Sequence, residues 1–285
     1  MVSGAHPHRR QLRRPRHESA TGTLVALLLS TLVPVTLAAV ALGWRPPMPA
    51  FGPWRTLLHG QEADPPPAAA LPGSALPQGW FFPAASGDGT GARGFAVTDA
   101  DPVPMWTTFQ ELGGIAYLGF PLSQRYESDG QYFQLFQRAL LRGDPSSGAV
   151  VPTALLDQLH AAGFDEQLAA QWMIPPIEVP AEGEPTGDQW TERLDWLLGD
   201  YPALRQYVND APAARRLFGL PTSAVHDAGG FYIVRFQKGA LQLWKEDVAW
   251  AAAGTVTPVN VGEIAVALGY LGSAPLVPEP APSSR

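Results

Sequence analysis

Apolar positions along this chain switch repeatedly between helical and strand-like spacing, and the switches divide it into elements. Met105, Trp106, Phe109 and Leu112 form one stripe of a short helix. Asp101 and Pro102 suit its start, and Gly113-Gly114 its end. Leu118 to Pro121 reads as a short extended piece and turn. Residues 131–136 and 138–142 read as strands, entered through Asp129-Gly130, a strong hairpin signal. The turn-rich stretch 143–148 leads to a helix over 153–162, with Leu155, Leu156 and Leu159 on one side and Gly163 beyond it. Further on, Trp190, Leu194 and Leu197 predict a helix, and 202–208 another. Residues 231–236 and 240–244 predict strands, 248–250 a further one, and 261–268 a closing helix.

The second half of that pattern repeats the first. Leu118-Gly-Phe-Pro-Leu-Ser123 returns as Phe218-Gly-Leu-Pro-Thr-Ser223, and Tyr132, Phe136-Gln137 and Arg138 return as Tyr232, Phe236-Gln237 and Lys238. The offset is 100 positions without a gap, so one structural unit was used twice. Each copy reads helix, extended turn, hairpin, helix. The predicted class is α+β, with short helices around small antiparallel sheets. The two units either pack face to face or hang separately on the proline-rich segment 174–187.

The segment before the repeats differs in kind. Residues 24–44 hold no charged side chain and reach about 30 Å as a helix, enough for a bilayer core. Five arginines (Arg9, Arg10, Arg13, Arg14, Arg16) precede it, which places the N-terminus in the cytoplasm and the body outside. A cleaved signal peptide is the rival, with Ala39-Val40-Ala41 as the small-residue site; the length of the run favours an uncleaved anchor. The resulting map is a basic tip (1–21), a transmembrane anchor or signal peptide (22–44) and a Pro/Ala-rich stalk (45–78). The first unit (79–173), linker (174–187), second unit (188–272) and a disordered tail (273–285) follow. The body is then a single-pass membrane ectodomain, or secreted if the leader is removed.

Charge and composition narrow the chemistry. The net charge is −7, yet residues 1–21 carry +4, so the remainder carries −11. An acidic body argues against nucleic acid as a partner. There is no cysteine, and of six histidines only His160 and His226 lie in predicted folded regions, so neither a metal site nor any other cofactor is expected. Gly89-x-Gly91-x-x-Gly94 matches a dinucleotide fingerprint, but a strand follows where a helix is needed. Ser223 and His226 could begin a serine triad, but the first copy has Tyr126 in place of the histidine. Asp99, Glu111, Glu127 and Asp129 include the pair that a glycan hydrolase would need. For binding, Gln137, Arg138, Gln237 and Lys238 stand out because packing gives no evident reason for recurring polar residues. Tyr132, Tyr232 and Trp244 offer aromatic surface, whereas Phe136 and Phe236 suit a core.

The recurring residues, Leu118-Gly-Phe-Pro121 with Phe136-Gln-Arg-Ala-Leu140, and Gly219-Leu-Pro-Thr-Ser223 with Arg235-Phe-Gln-Lys-Gly-Ala-Leu241 and Trp244, resemble the LGFP repeat of bacterial cell-wall-associated proteins. The wider pattern is similar to uncharacterised secreted repeat proteins of Chloroflexi-type bacteria. The resemblance implies a non-catalytic extracellular module that binds or tethers cell-wall material, such as peptidoglycan or another wall polymer, or another envelope protein. The alternatives are an envelope glycan hydrolase using carboxylates of the first unit, and a purely structural spacer subunit.

Overall fold

Three small antiparallel sheets and eight short helices make up the described residues, which in this computed structural model are 71–83, 91–99 and 102–282. The apolar run 24–44, the basic tip and most of the stalk lie outside them. Among the described residues no helix is long and apolar enough to cross a membrane.

Strands β1 (Ser74–Leu76), β2 (Gly79–Pro83) and β3 (Arg93–Thr98) form the first sheet. Its β1 begins inside the segment expected to be stalk. Helices α1 (Met105–Glu111) and α2 (Gly114–Leu118) follow, and then the first repeat's meander: β4 (Tyr126–Ser128), β5 (Gln131–Leu135), β6 (Leu140–Gly143) and β7 (Val150–Pro152). Asp129 and Gly130 both take positive φ, 50° and 70°, as a two-residue hairpin turn requires. Helices α3 (Leu155–Ala161) and α4 (Asp165–Trp172) close this half. The periodicity hides α4, since Leu168 is its one fully buried apolar residue.

The second half begins with α5 (Gly187–Leu198), α6 (Pro202–Asp210) and α7 (Ala214–Phe218). Its meander is β8 (His226–Asp227), β9 (Phe231–Arg235), β10 (Ala240–Trp244) and β11 (Val256–Pro258), and α8 (Val261–Ala267) ends it. The register of the repeat persists into backbone conformation. Gly113 before α2 has φ 89°, and Ala213 before α7 has φ 49° although it carries a side chain. Residues 248–250 are not a strand; Val248 makes a single bridge to Ala251, and β11 takes the sheet position.

The described part of the tail, residues 273–282, is held in the fold, contrary to the sequence expectation. Strand β12 (Glu279–Pro280) pairs with β3, Ala281 donates to the Ala92 carbonyl at 2.8 Å, and Gln124 donates to that of Pro275 at 2.8 Å. Backbone pairing holds a proline-rich segment that composition alone marks as loose.

The repeats share one interior and do not hang apart. Leu155, Leu156 and Leu159 of α3 and Val261, Ile264 and Ala265 of α8 pack together with Leu135, Leu140, Ile233 and Ala240. The start of each helix meets the opposite repeat: Gly262 donates to the Gln137 carbonyl (2.8 Å), and Asp157 to that of Gln237 (3.2 Å). The supposed linker is likewise strapped down. Ile174 is buried, and the amides of Glu178 and Val179 both donate to the Thr222 carbonyl at 2.9 and 3.0 Å.

Candidate functional site

The motif residues form the same clip in both repeats. Gly119 (φ 74°, ψ −169°) and Gly219 (φ 67°, ψ −169°) occupy backbone space that favours glycine. A Cβ at either would stand 2.6 or 2.9 Å from the Cβ of Gln137 or Gln237. The glutamine lies against the glycine because its Oε1 accepts from the next amide, Phe120 (2.9 Å) or Leu220 (2.8 Å). Ser123 Oγ accepts from the Leu135 amide at 2.8 Å, and Ser223 Oγ from that of Arg235 at 3.0 Å. Pro121 and Pro221 bridge to Phe136 and Phe236, which are fully buried.

The cations complete the clip. Arg138 donates to the Ala116 carbonyl at 2.6 Å and Lys238 to that of Arg216 at 2.8 Å, so each caps the short helix before its own motif. Lys238 also pairs with Glu184 at 2.6 Å, and burial lowers its pKa from the ordinary lysine value. Arg138 reaches Asn260 at 3.1 Å, and Gln137 reaches Glu263 at 2.8 Å, both across the seam.

These contacts correct the surface reading of the recurring polar residues. Gln137, Gln237 and Lys238 are 9%, 4% and 5% exposed. Packing does require them, because an extended turn inside the body leaves amides and carbonyls that water cannot reach. Arg138, Lys238 and Tyr117 do line one crevice between the repeats, but its volume of about 10 Å³ holds roughly one water.

Of the residues named for chemistry, Ser223, His226 and Asp99 serve the fold, and the other carboxylates stay at the surface. Ser223 Oγ both accepts from Arg235 and donates to Ala224 O (2.7 Å), while His226 sits on Glu178 at 2.7 Å. Asp99 takes the amide and hydroxyl of Thr107 at 2.9 and 2.6 Å, capping α1. Glu111, Glu127 and Asp129 lie exposed at a helix end and a hairpin. No group of three or more potential metal ligands occurs among the described residues.

Sequence reasoning missed a buried polar cluster beneath the seam. Arg235 is 0% exposed and donates to the carbonyls of Leu156 (2.8 Å) and Pro175 (3.2 Å) and to Asp165 (3.2 Å), which also holds His160. Beside it, burial pushes the Asp157 carboxyl up to about 6 against the opposing pull of Arg235 and Gln237. Native Asp157 therefore keeps a proton that the unfolded chain releases near 3.8, so stability falls as pH rises from about 4 to about 6 and levels off above. Allowing for partial exposure, the fall is on the order of 1–2 kcal/mol. Asp144 is held down at about 2 by Ser146 and Ser147. Asp165 and Glu178 are held down against burial by their hydrogen bonds to His160, Arg235, Ala224 and His226. All three act in the opposite sense as pH rises to about 4.5, at or below the start of this window. Urea midpoints at about pH 4.5 and about pH 7 should show the fall, and Asp157→Asn should abolish it. An unchanged slope in that variant would refute the assignment.

The aromatics divide by position. Tyr132 and Tyr232 are half-buried, the first with Arg125 4.9 Å from its ring centroid, the second with Lys245 at 4.2 Å and the Tyr201 ring at 5.2 Å. Trp244 is buried, and its Nε1 donates to Thr257 Oγ1 at 2.9 Å. Beside Trp244, Trp250 reaches solvent, 46% exposed, and meets Trp244 edge-on at 5.6 Å and 83°. Its signal in the sequence is a misfit: the two repeats fall out of register between Trp244 and Val256.

No protein-family model matches the chain, and the search of curated proteins likewise found no match.

Proposed function

We propose that this is a non-catalytic envelope protein, anchored or exported through residues 24–44, whose extracellular body binds wall polymer or another envelope component. The observation that carries this reading is the internal use of the recurring polar side chains. Gln137, Gln237, Lys238 and Ser223 stitch the two-repeat body together, and what remains outward is an acidic surface, Glu111 and Glu127 included, with isolated aromatics. Such a body recognises by shape and stacking. The LGFP-like motifs support the same reading, with the clip as the reason for their recurrence.

The test incubates the full chain with cell-wall sacculi, isolated membranes and an inert polysaccharide. Retention on sacculi at moderate salt, kept by Glu111→Gln with Glu127→Gln, is the expected result. Release of reducing ends from the sacculi that this double variant loses would replace the reading with glycan hydrolysis. Retention no greater than on the inert polymer, with proteins captured from membranes, would leave a subunit of an envelope assembly instead.

A further inference from the structure

The repeats keep register residue by residue from Gly113/Ala213 to the second β-hairpin and then diverge at one loop. In the first repeat Leu141 pairs with Pro152, eleven residues on; in the second Leu241 pairs with Pro258, seventeen residues on. The first repeat closes the gap with a tight turn in which Asp144 accepts from Ser146 and Ser147. The same sheet therefore closes without the six extra residues, and the fold has no need of them.

What the longer loop does is present Trp250. Val248 and Ala251 bridge each other, Asp247 Oδ1 accepts from the Ala253 amide at 2.8 Å, and Gly254 donates to the Trp244 carbonyl at 2.7 Å. The loop is a small closed hairpin with the indole at its tip. Trp244 backs that indole, and Phe231 backs Trp244 at 5.0 Å. The fold thus supports the ring on one side, which lowers the conformational entropy it can lose on binding. The more exposed Trp196, at 68%, differs: it stands on the regular helix α5 with the Arg193 guanidinium 6.0 Å from its ring centroid.

We infer that the Trp250 loop is a saccharide platform that takes an uncharged pyranose ring, stacked on the indole, with the loop carboxylates as hydroxyl acceptors. This rests on the envelope-binding reading and narrows its ligand. The charge around the ring selects the class. Glu246 and Asp247 are exposed on the same loop, and the nearby ammonium of Lys245 is paired with Asp227. A phosphate-rich polymer meets uncompensated acids there, whereas sugar hydroxyls meet acceptors. The aliphatic C–H face of a pyranose matches the apolar, electron-rich face of an indole.

The experiment titrates the full chain with chitotetraose and cellotetraose as uncharged probes and with poly(ribitol phosphate) as the anionic one, by calorimetry and by saturation transfer from the indole protons. Saturable binding of an uncharged oligosaccharide is expected, with transfer to its ring C–H protons and no binding of the phosphate polymer. Trp250→Ala should weaken it by about tenfold or more, Trp250→Phe by less, and Trp196→Ala should leave it unchanged. Absence of saturable binding to both uncharged probes, or equal binding by Trp250→Ala, would overturn the platform. Sacculus retention by the parent chain, with both uncharged oligosaccharides failing to bind it, would remove the platform and leave the envelope reading intact. Loss of retention by the parent chain with oligosaccharide binding preserved would do the reverse.

Discussion

Replacing Gly262 by alanine is expected to destabilise the protein by about 3 kcal/mol or more. Gly262 lies in the first turn of α8 with its amide on the Gln137 carbonyl of the other repeat. A Cβ built there would stand 1.9 Å from the Phe136 carbonyl oxygen and 3.1 Å from the Gln137 carbonyl carbon. Both obstacles are backbone of the first repeat's clip, so no rotamer change relieves them. The seam must open, and the shared layer of Ile264, Ala265, Leu155 and Leu159 loses packing as it does. Gly239→Ala is the control, since its Cβ meets nothing within 4 Å and the first repeat already carries Ala139 there. Urea unfolding of both variants decides the matter: a cost below about 1 kcal/mol for Gly262→Ala would mean that the repeats are not packed through this glycine.

Arg235→Ala is expected to cost about 3–5 kcal/mol. The guanidinium is wholly buried and has three acceptors, the carbonyls of Leu156 and Pro175 and the carboxylate of Asp165. Truncation strands those groups and leaves a cavity between α3 and β9. The first repeat places Leu135 at the matching position, so Arg235→Leu refills the space and should recover part of the loss, about 2 kcal/mol. Equal destabilisation by alanine and leucine would show that packing contributes little and that the unsatisfied acceptors dominate. A small effect of both would contradict the buried cluster as a determinant of the fold.

Much of the architecture is legible because local chemistry fixes it. Asp129-Gly130 makes its hairpin wherever the strands go, since a two-residue turn needs positive φ at both positions. Leu155, Leu156 and Leu159 mark α3 because one helix face must be apolar. The candidate site is less legible. Gln137 and Lys238 look alike whether they face a ligand or brace a buried turn, and only the position of the Phe120 amide and the Arg216 carbonyl distinguishes the two. Val248-Ala-Trp250 reads as a strand because it is apolar and short; nothing local reveals that the loop returns on itself through Asp247 and Gly254.

By itself the sequence determined the duplication, the α+β class, the hairpins and most helices, all properties of periodicity and turn chemistry within about ten residues. The tertiary structure decided how the halves meet, what the recurring residues do and which aromatic faces water. Those outcomes depend on contacts across large separations: β12 closing on β3, Gly262 against Gln137, Arg235 against Asp165. A buried amide has to be satisfied by whatever the fold brings near, and that neighbour is not written beside it in the chain.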